Sequence, residues 1–387
     1  MTMDKATIKR HVKIVCTLGP ATSSPKIIAN MLKGGMDVAR FNLAYGTLQE
    51  HSQLISKVRS LNQKLKLPVG ILLDLPGLKR SQGDVKAVFG QHLDFALTED
   101  ADFVALSFIS SVRQVREVKQ LLKKMKADIP VIVKIEEARA LKEIGAILEA
   151  GEGIMVARGD LALDISIEKI PTAQKQLINE ANRQGKPVIT ATQMLESMVH
   201  SATPTRAEAT DIANAVLDGS DALMLSEETA IGSYPVEATE TMVKIALEAE
   251  TLFPYEEILR KRWQDVLPEA NDATARAACQ MASQVQARAI IAFTTGGTTA
   301  LRVSKYRPYH PILAITPSVS VMSRLSLAWG VLPLKKPEPA NLEEVFELAS
   351  KAALETNLAE RGDLIVITAG IPLGVSGSTN LVKIHSI

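Results

Sequence analysis

The sequence predicts an α/β protein: a (β/α)8 TIM barrel followed by a smaller α/β domain with a mainly parallel sheet. Two observations predict it. From Lys13 to about Glu250, eight short apolar runs alternate regularly with amphipathic stretches. Around Leu252-Phe253-Pro254 that rhythm breaks, the charged stretch Glu256 to Asp265 follows, and a second strand–helix alternation begins. Eight strand–helix units in succession point to a closed barrel, although periodicity alone is also compatible with an open doubly wound sheet. The expected domains are 1–252 for the barrel and 253–387 for the smaller unit.

The barrel strands are expected at 13–19 (KIVCTLG), 37–43 (DVARFNL), 68–74 (PVGILLD), 103–108 (FVALSF), 130–136 (PVIVKIE), 153–158 (GIMVAR), 187–192 (PVITAT) and 222–226 (ALMLS). Each is short, apolar on both faces and rich in β-branched residues, the pattern of parallel strands covered on both sides. Between them run amphipathic helices such as 111–125, where Val115, Val118, Leu122 and Met125 mark one face and Ser111 stands as N-cap. In the second domain, helices are expected at 272–286, 299–306, 319–329 and 342–356. Strands are expected at 287–294, 311–316, the short VLPL run, 363–369 and 380–387.

Composition narrows the function. The chain has 387 residues, 46% hydrophobic and 22% charged, enough for two domains with a large core. A formal net charge of +1 and 4% aromatic residues give no electrostatic or stacking case for nucleic acid or an acidic membrane surface. The Lys119–Lys126 stretch reads as a solvated helix face. No apolar run is long enough to span a bilayer, and Cys16 and Cys279 make no metal or redox spacing. A cytoplasmic protein with reduced thiols is expected. The six histidines are scattered, with no pair at metal spacing.

Chemistry in a barrel sits where the strands end, and there the sequence gathers Asn42, Asp74, Lys134, Glu136, Arg158-Gly159-Asp160, Thr192 and Ser226. Lys134 and Glu136, two apart, point to the same side of a strand. A lone carboxylate at such a position also serves as the N-cap of the following helix. Two carboxylates from adjacent strands beside a Lys and an Arg favour a hard divalent cation and an anionic substrate instead.

At these residues the sequence resembles pyruvate kinase. The resemblance is carried by KIVCTLGPATSS (13–24), GGMDVARFN (34–42), VKIE (133–136), IMVARGDLAL (154–163), GKPVITATQMLESM (185–198), PTRAEATDIANAVLDGSDALMLSEETA (204–230) and the terminal run 362–384. It implies phosphoryl transfer between phosphoenolpyruvate and ADP, giving pyruvate and ATP. Glu136 and Asp160 would be the ligands of a Mg²⁺ or Mn²⁺ ion, with Lys134 and Arg40 on the transferring phosphoryl group. Gly159, Asp160 and Thr192 would hold the substrate carboxylate, and Thr192, with Ser226 and Glu228 nearby, would belong to the protonation route. Asn42, Asp74 and Lys79 would form the cation corner. There the family's two hydroxyl-bearing potassium ligands are replaced by Ala44 and Leu75, while Lys79 falls where potassium-independent members carry a lysine. The expectation is that K⁺ is not required.

The family's β-rich lid domain, inserted after the third barrel strand, has no counterpart. A short loop near 80–92 and the third barrel helix fill the Gln82–Leu97 stretch. The GPEIR run that normally precedes the lid is reduced to Gly77-Leu78-Lys79-Arg80, and Tyr45 replaces a histidine bordering the nucleotide. Two further readings therefore accompany the kinase: a metal-dependent lyase or decarboxylase forming pyruvate enolate from oxaloacetate or a related keto acid, and a regulatory protein without turnover. In the second domain Thr294-Thr295-Gly296-Gly297-Thr298-Thr299 follows a strand and opens a helix. It reads either as a glycine turn with a threonine N-cap or as a phosphate cradle, with Gly374 to Thr379 as the opposite wall. The family places a sugar-phosphate effector at this loop. The resemblance also implies a homotetramer.

Overall fold

The computed structural model describes residues 10–77, 85–262, 267–375 and 377–387. They form two compact units, Lys13–Thr251 and Leu252–Ile387, with residues 10–12 packing in the second. Among the described residues no helix is long and apolar enough to cross a membrane.

The first unit is a closed barrel of eight strands in sequential order. They are β1 (Lys13–Thr17), β2 (Val38–Asn42), β3 (Gly70–Leu75), β4 (Phe103–Leu106), β5 (Val131–Ile135), β6 (Gly153–Ala157), β7 (Val188–Ala191) and β8 (Ala222–Leu225). Every neighbouring pair is parallel, and β1 closes on β8. All residues of β1, β3, β4, β6, β7 and β8 are buried, because both faces are covered. The helix Val112–Lys124 buries Val115, Val118 and Leu122 as its spacing requires; Met125 is its C-cap residue. Helices Leu48–Leu65 and Arg206–Leu217 start with reciprocal capping boxes, Thr47 with Glu50 and Thr205 with Glu208. Glu208 is thereby committed to its helix start, and it also accepts from the Ser197 amide and hydroxyl.

Between β3 and the helix Val85–Thr98 lie only residues 76–84. Gly77 begins this passage against the end of β4: a Cβ there would meet the Ser107 carbonyl oxygen at 2.3 Å. Lys79, expected in the cation corner, lies outside the described residues.

The second unit is a five-stranded sheet in the order β11-β10-β9-β12-β13, with β9 (Ile290–Phe293), β10 (Ile312–Thr316), β11 (Val331–Lys335), β12 (Leu364–Gly370) and β13 (Thr379–Ser386). Only β13 runs antiparallel, along β12. Strand alternation sends Ile290 and Ala292 to one core with Ala278 and Val303, and Ile291 and Phe293 to another with Val345 and Ala353. The helix expected over 319–329 stops at Arg324 and tightens into a 3₁₀ turn at Leu325–Leu327. There the Ser326 hydroxyl donates to the Ser323 carbonyl, a local competitor of the helical ladder. His11 stacks on Trp329 with ring centroids 5.6 Å apart and bonds the Tyr309 carbonyl at 3.0 Å, fixing residues 10–12 to this unit.

Phe41 in β2 is fully buried. Phe41→Ala is expected to lower unfolding free energy by about 3–5 kcal/mol, read by urea denaturation of the full chain; a loss below about 1 kcal/mol would contradict a close-packed barrel at this strand.

Candidate active site

Groups at or just beyond the C-terminal ends of five adjacent strands, β1 to β5, join into one hydrogen-bonded and ionic chain. The Thr17 hydroxyl donates to the Leu225 carbonyl at 2.9 Å and accepts from Arg40 Nη1 at 2.7 Å. Arg40 Nε and Nη2 both donate to Asp74 Oδ2, at 2.9 and 2.6 Å. The other Asp74 oxygen accepts from the Ser107 hydroxyl at 3.2 Å and faces Lys134 Nζ at 3.4 Å. Lys134 donates to Ser107 Oγ at 3.0 Å and pairs with Glu136 Oε1 at 2.8 Å. Glu136 Oε2 accepts the Phe108 amide, which is aimed there by a left-handed backbone at Phe108 (φ 56°).

Two cations and two carboxylates are thus held together with side-chain exposures of 7% for Arg40, 1% for Asp74, 12% for Lys134 and 1% for Glu136. Charges so deeply withdrawn from water persist only when paired. Burial favours the protonated form of Asp74, but the Lys134 and Arg40 charges outweigh it and hold the carboxyl below its ordinary range. Burial pushes the Lys134 ammonium down, and Asp74 and Glu136 outweigh that too, so it stays charged above its ordinary range. Glu136 differs. Burial raises its carboxyl and Lys134 only partly offsets it.

Burial is the larger effect there, because Oε1 is reached by Lys134 Nζ alone among the described residues, as an ion pair at 2.8 Å. A buried anionic oxygen at a barrel mouth, held only by a lysine ammonium, suits a hard divalent cation. Asp160, half-buried, lies in the turn directly after the adjacent strand β6. Among the described residues no three acidic, histidine or cysteine side chains form a ready-made metal cage. A cation held by Glu136 and Asp160 would leave its other positions to substrate and water.

A second cluster forms where β6 and β7 end. The Gly159 amide donates to Thr192 Oγ1 at 2.9 Å, and Thr192 has a left-handed backbone, φ 69°. Arg158, which the sequence groups with the substrate-facing cations, turns away from the mouth. It donates to Asp211 Oδ2 and to the Thr192 carbonyl, each at 2.6 Å, and to the Ala191 carbonyl at 3.3 Å. Glu228, buried and held above its ordinary range by that burial, accepts the amides of Leu195 and Ser226 at 3.0 and 2.6 Å. It thus ties the loops after β7 and β8 together. Asn42 stands in register beside Asp74, but its Oδ1 accepts from the Ala44 amide at 3.2 Å instead of entering the ionic chain. Thr17 and Ser107 were not singled out from the sequence. Both are hydroxyl residues at strand ends, which is the signal that found Thr192.

In the second unit a cleft opens beyond the ends of β9 and β12, with Thr294, Thr295, Thr298, Glu338, Gly374 and Ser378 along its walls. Its position between strands that lead away in opposite directions from β9 is a topological switch point. Gly297, at φ 89°, makes the turn into the helix Thr298–Lys305 and donates its amide to Thr294 Oγ1 at 2.9 Å. Gly296 and Gly297 shape the loop without lining the cleft, and Glu338 is the one charged side chain among its described lining residues.

A (β/α)8 barrel whose strand ends gather paired cations and carboxylates defines an enzyme-type scaffold, with the reactive face at the C-terminal mouth. The family model described as pyruvate kinase, barrel domain, matches residues 9–88 and 85–239, and that described as pyruvate kinase, alpha/beta domain, matches 272–385. The two barrel matches overlap at 85–88, in the first turn of the helix Val85–Thr98 that follows the short passage after β3. Pyruvate kinases of Staphylococcus aureus strains USA300, NCTC 8325 and COL are each 34% identical over 471 aligned positions, covering 98% of this chain and 80% of theirs. The chain belongs to the pyruvate kinase family, in a form shorter than these relatives and lacking the inserted lid.

Asp74 gives a signed pH prediction. Its folded-state pKa is depressed, so its stabilisation is present above the unfolded value of about 3.9 and is lost as pH falls through the folded value. Asp74→Asn should destabilise the protein by about 3–5 kcal/mol at pH 7, because Arg40 and Lys134 lose their shared counter-charge. The variant should also show a shallower loss of stability below about pH 4. Equal denaturation midpoints for variant and parent at pH 7 would contradict the pairing.

Proposed function

We propose that this chain is a Mg²⁺- or Mn²⁺-dependent phosphotransferase that moves the phosphoryl group of phosphoenolpyruvate to ADP. The observation that carries the reading is the four-charge group Arg40–Asp74–Lys134–Glu136, in which one buried glutamate oxygen meets only the Lys134 ammonium among the described residues.

In this reading Glu136 and Asp160 hold the metal. When bound, Mg²⁺ or Mn²⁺ supplies positive charge against the oxygen that becomes the enolate of pyruvate. Arg40 and Lys134 contribute the cations on the phosphoryl group: the bond from phosphorus to the enol oxygen breaks as one to a terminal ADP oxygen forms. Charge on the phosphoryl oxygens is neutralised throughout. Arg40 is held by Asp74 and Thr17 with a planar donor edge suited to those oxygens, so its position is set before substrate arrives. The substrate carboxylate is held by the amides around Gly159 and Asp160 and by the Thr192 hydroxyl. Thr192 also stands on the route by which the released enolate takes a proton at its methylene carbon, with Ser226 and Glu228 completing that side.

Asp74, expected with Asn42 and Lys79 in the cation corner, has both oxygens engaged by Arg40, Ser107 and Lys134. With Ala44 and Leu75 in place of hydroxyl ligands, this supports turnover without added K⁺. The cleft of the second unit supports an effector site on the Thr294–Thr299 loop. Hydroxyls and amides suit one phosphate, and Glu338 disfavours a second anionic group nearby. Family membership supports a cytosolic homotetramer. The short passage between β3 and the helix Val85–Thr98 leaves the nucleotide without a closing lid, and lids of this kind exclude water and complete the site. That one feature favours a second reading, enolate formation from oxaloacetate without nucleotide.

The deciding experiment follows pyruvate release from phosphoenolpyruvate with and without ADP, and from oxaloacetate. The expected result is ADP-dependent release, equal in K⁺ and in Na⁺ buffers. Release from oxaloacetate alone would replace the kinase with the lyase, no release from either would leave a regulatory protein, and a rate at least tenfold higher in K⁺ would overturn the potassium claim.

A further inference from the structure

Thr192 ends β7 in a backbone conformation that β-branched residues rarely adopt: φ is 69°, followed by 56° at Gln193. Such a conformation persists only where its surroundings over-determine it. Two groups do so: the Thr192 hydroxyl, which donates to the Ala191 carbonyl at 2.6 Å, and the Arg158 guanidinium, side-chain exposure 10%. Its Nη2 donates to the Thr192 carbonyl at 2.6 Å, its Nε to the Ala191 carbonyl at 3.3 Å, and its Nη1 to Asp211 Oδ2 at 2.6 Å and Gln174 Oε1 at 3.4 Å. Arg158 leaves β6 and the carbonyls belong to the end of β7, so one planar cation fixes the spacing of the two strand ends. Asp211, on the helix Arg206–Leu217, fixes the cation. On the far side of the same threonine, Oγ1 accepts the Gly159 amide at 2.9 Å. A Cβ added at Gly159 would lie 3.6 Å from that oxygen, in ordinary van der Waals contact.

We propose that Arg158 is a positioning residue: by clamping the Thr192 carbonyl from behind it holds the left-handed turn, and so sets where the Thr192 hydroxyl stands beside Gly159 for the substrate. It touches no reacting atom, and its influence on turnover runs through Thr192. The functional half of this inference rests on the phosphoenolpyruvate reading above. A lysine reaches the carbonyl or Asp211 but not both, because it lacks the rigid donor fork.

The test uses the whole 387-residue chain with Arg158→Met, Arg158→Ala, Arg158→Lys and Asp211→Asn. In the metal-free protein, amide hydrogen exchange read by mass spectrometry is expected to quicken at least tenfold for peptides carrying Gly159 and residues 191–195 in Arg158→Met. Peptides of β1 to β4 should be unchanged. In turnover assays the KM for phosphoenolpyruvate should rise at least tenfold and that for ADP less than twofold. Arg158→Lys and Asp211→Asn should fall in between, and millimolar guanidinium should restore part of the loss in Arg158→Ala. Unchanged local exchange, or exchange that quickens evenly over the whole barrel, overturns the clamp. Local quickening with both KM values unchanged in an active enzyme overturns its link to the substrate. Should the parent chain turn over no phosphoenolpyruvate, the phosphotransferase reading falls, and the exchange data alone judge the clamp.

Discussion

Everything at the barrel mouth depends on the pairing of buried charge. Arg40, Asp74, Lys134 and Glu136 are almost wholly withdrawn from water, where an unpaired charge is costly. Their arrangement is a consequence of the barrel. Parallel strands in sequential order bring successive strand ends side by side, so residues far apart in the chain become neighbours around one rim. Thr17 and Ser107 convert that neighbourhood into fixed geometry, because each hydroxyl accepts from a cation and passes its own proton to a second acceptor. A site built this way is pre-organised, which is where electrostatic stabilisation of a transferring phosphoryl group gains most.

The four charges cancel, and that balance has a chemical meaning. A neutral cluster can take in a divalent cation and an anionic substrate together without leaving a net charge buried. Lys134 is the hinge of this exchange, because it pairs with both Asp74 and Glu136. The β6–β7 side is organised differently, by backbone amides and a strained threonine rather than by paired ions. The two sides therefore respond to different perturbations, the first to charge removal and the second to loss of backbone support.

Much of this was legible in the sequence. Strand ends were readable from apolar, β-branched runs, and the structure moves them by at most a few residues: 13–19 became Lys13–Thr17, and 153–158 became Gly153–Ala157. Asp74, Lys134 and Glu136 could be picked out because a charged residue closing an apolar strand needs a reason, whereas Arg40 was reached only through the resemblance to pyruvate kinase. Arg158 could be found by the same rule but not oriented, since nothing in sequence spacing says that a guanidinium will turn back onto two carbonyls and Asp211. Thr17 and Ser107 escaped because a hydroxyl at a strand end is unremarkable until its neighbours across the sheet are known. The 3₁₀ ending at Leu325–Leu327 was hidden for a related reason: a serine's choice between its own helix and a local carbonyl is settled by tertiary context.

In the proposed phosphotransferase, Glu136 and Asp160 together would hold the divalent cation. The most direct measurement is Mn²⁺ titration followed by electron paramagnetic resonance, with oxalate as a mimic of the enolate, on the parent chain, Glu136→Gln and Asp160→Asn. The account predicts one tight Mn²⁺ site in the parent, strengthened by oxalate, and at least a hundredfold loss of affinity in either variant. A parent chain that binds no Mn²⁺, or variants that bind it as tightly as the parent, would contradict it.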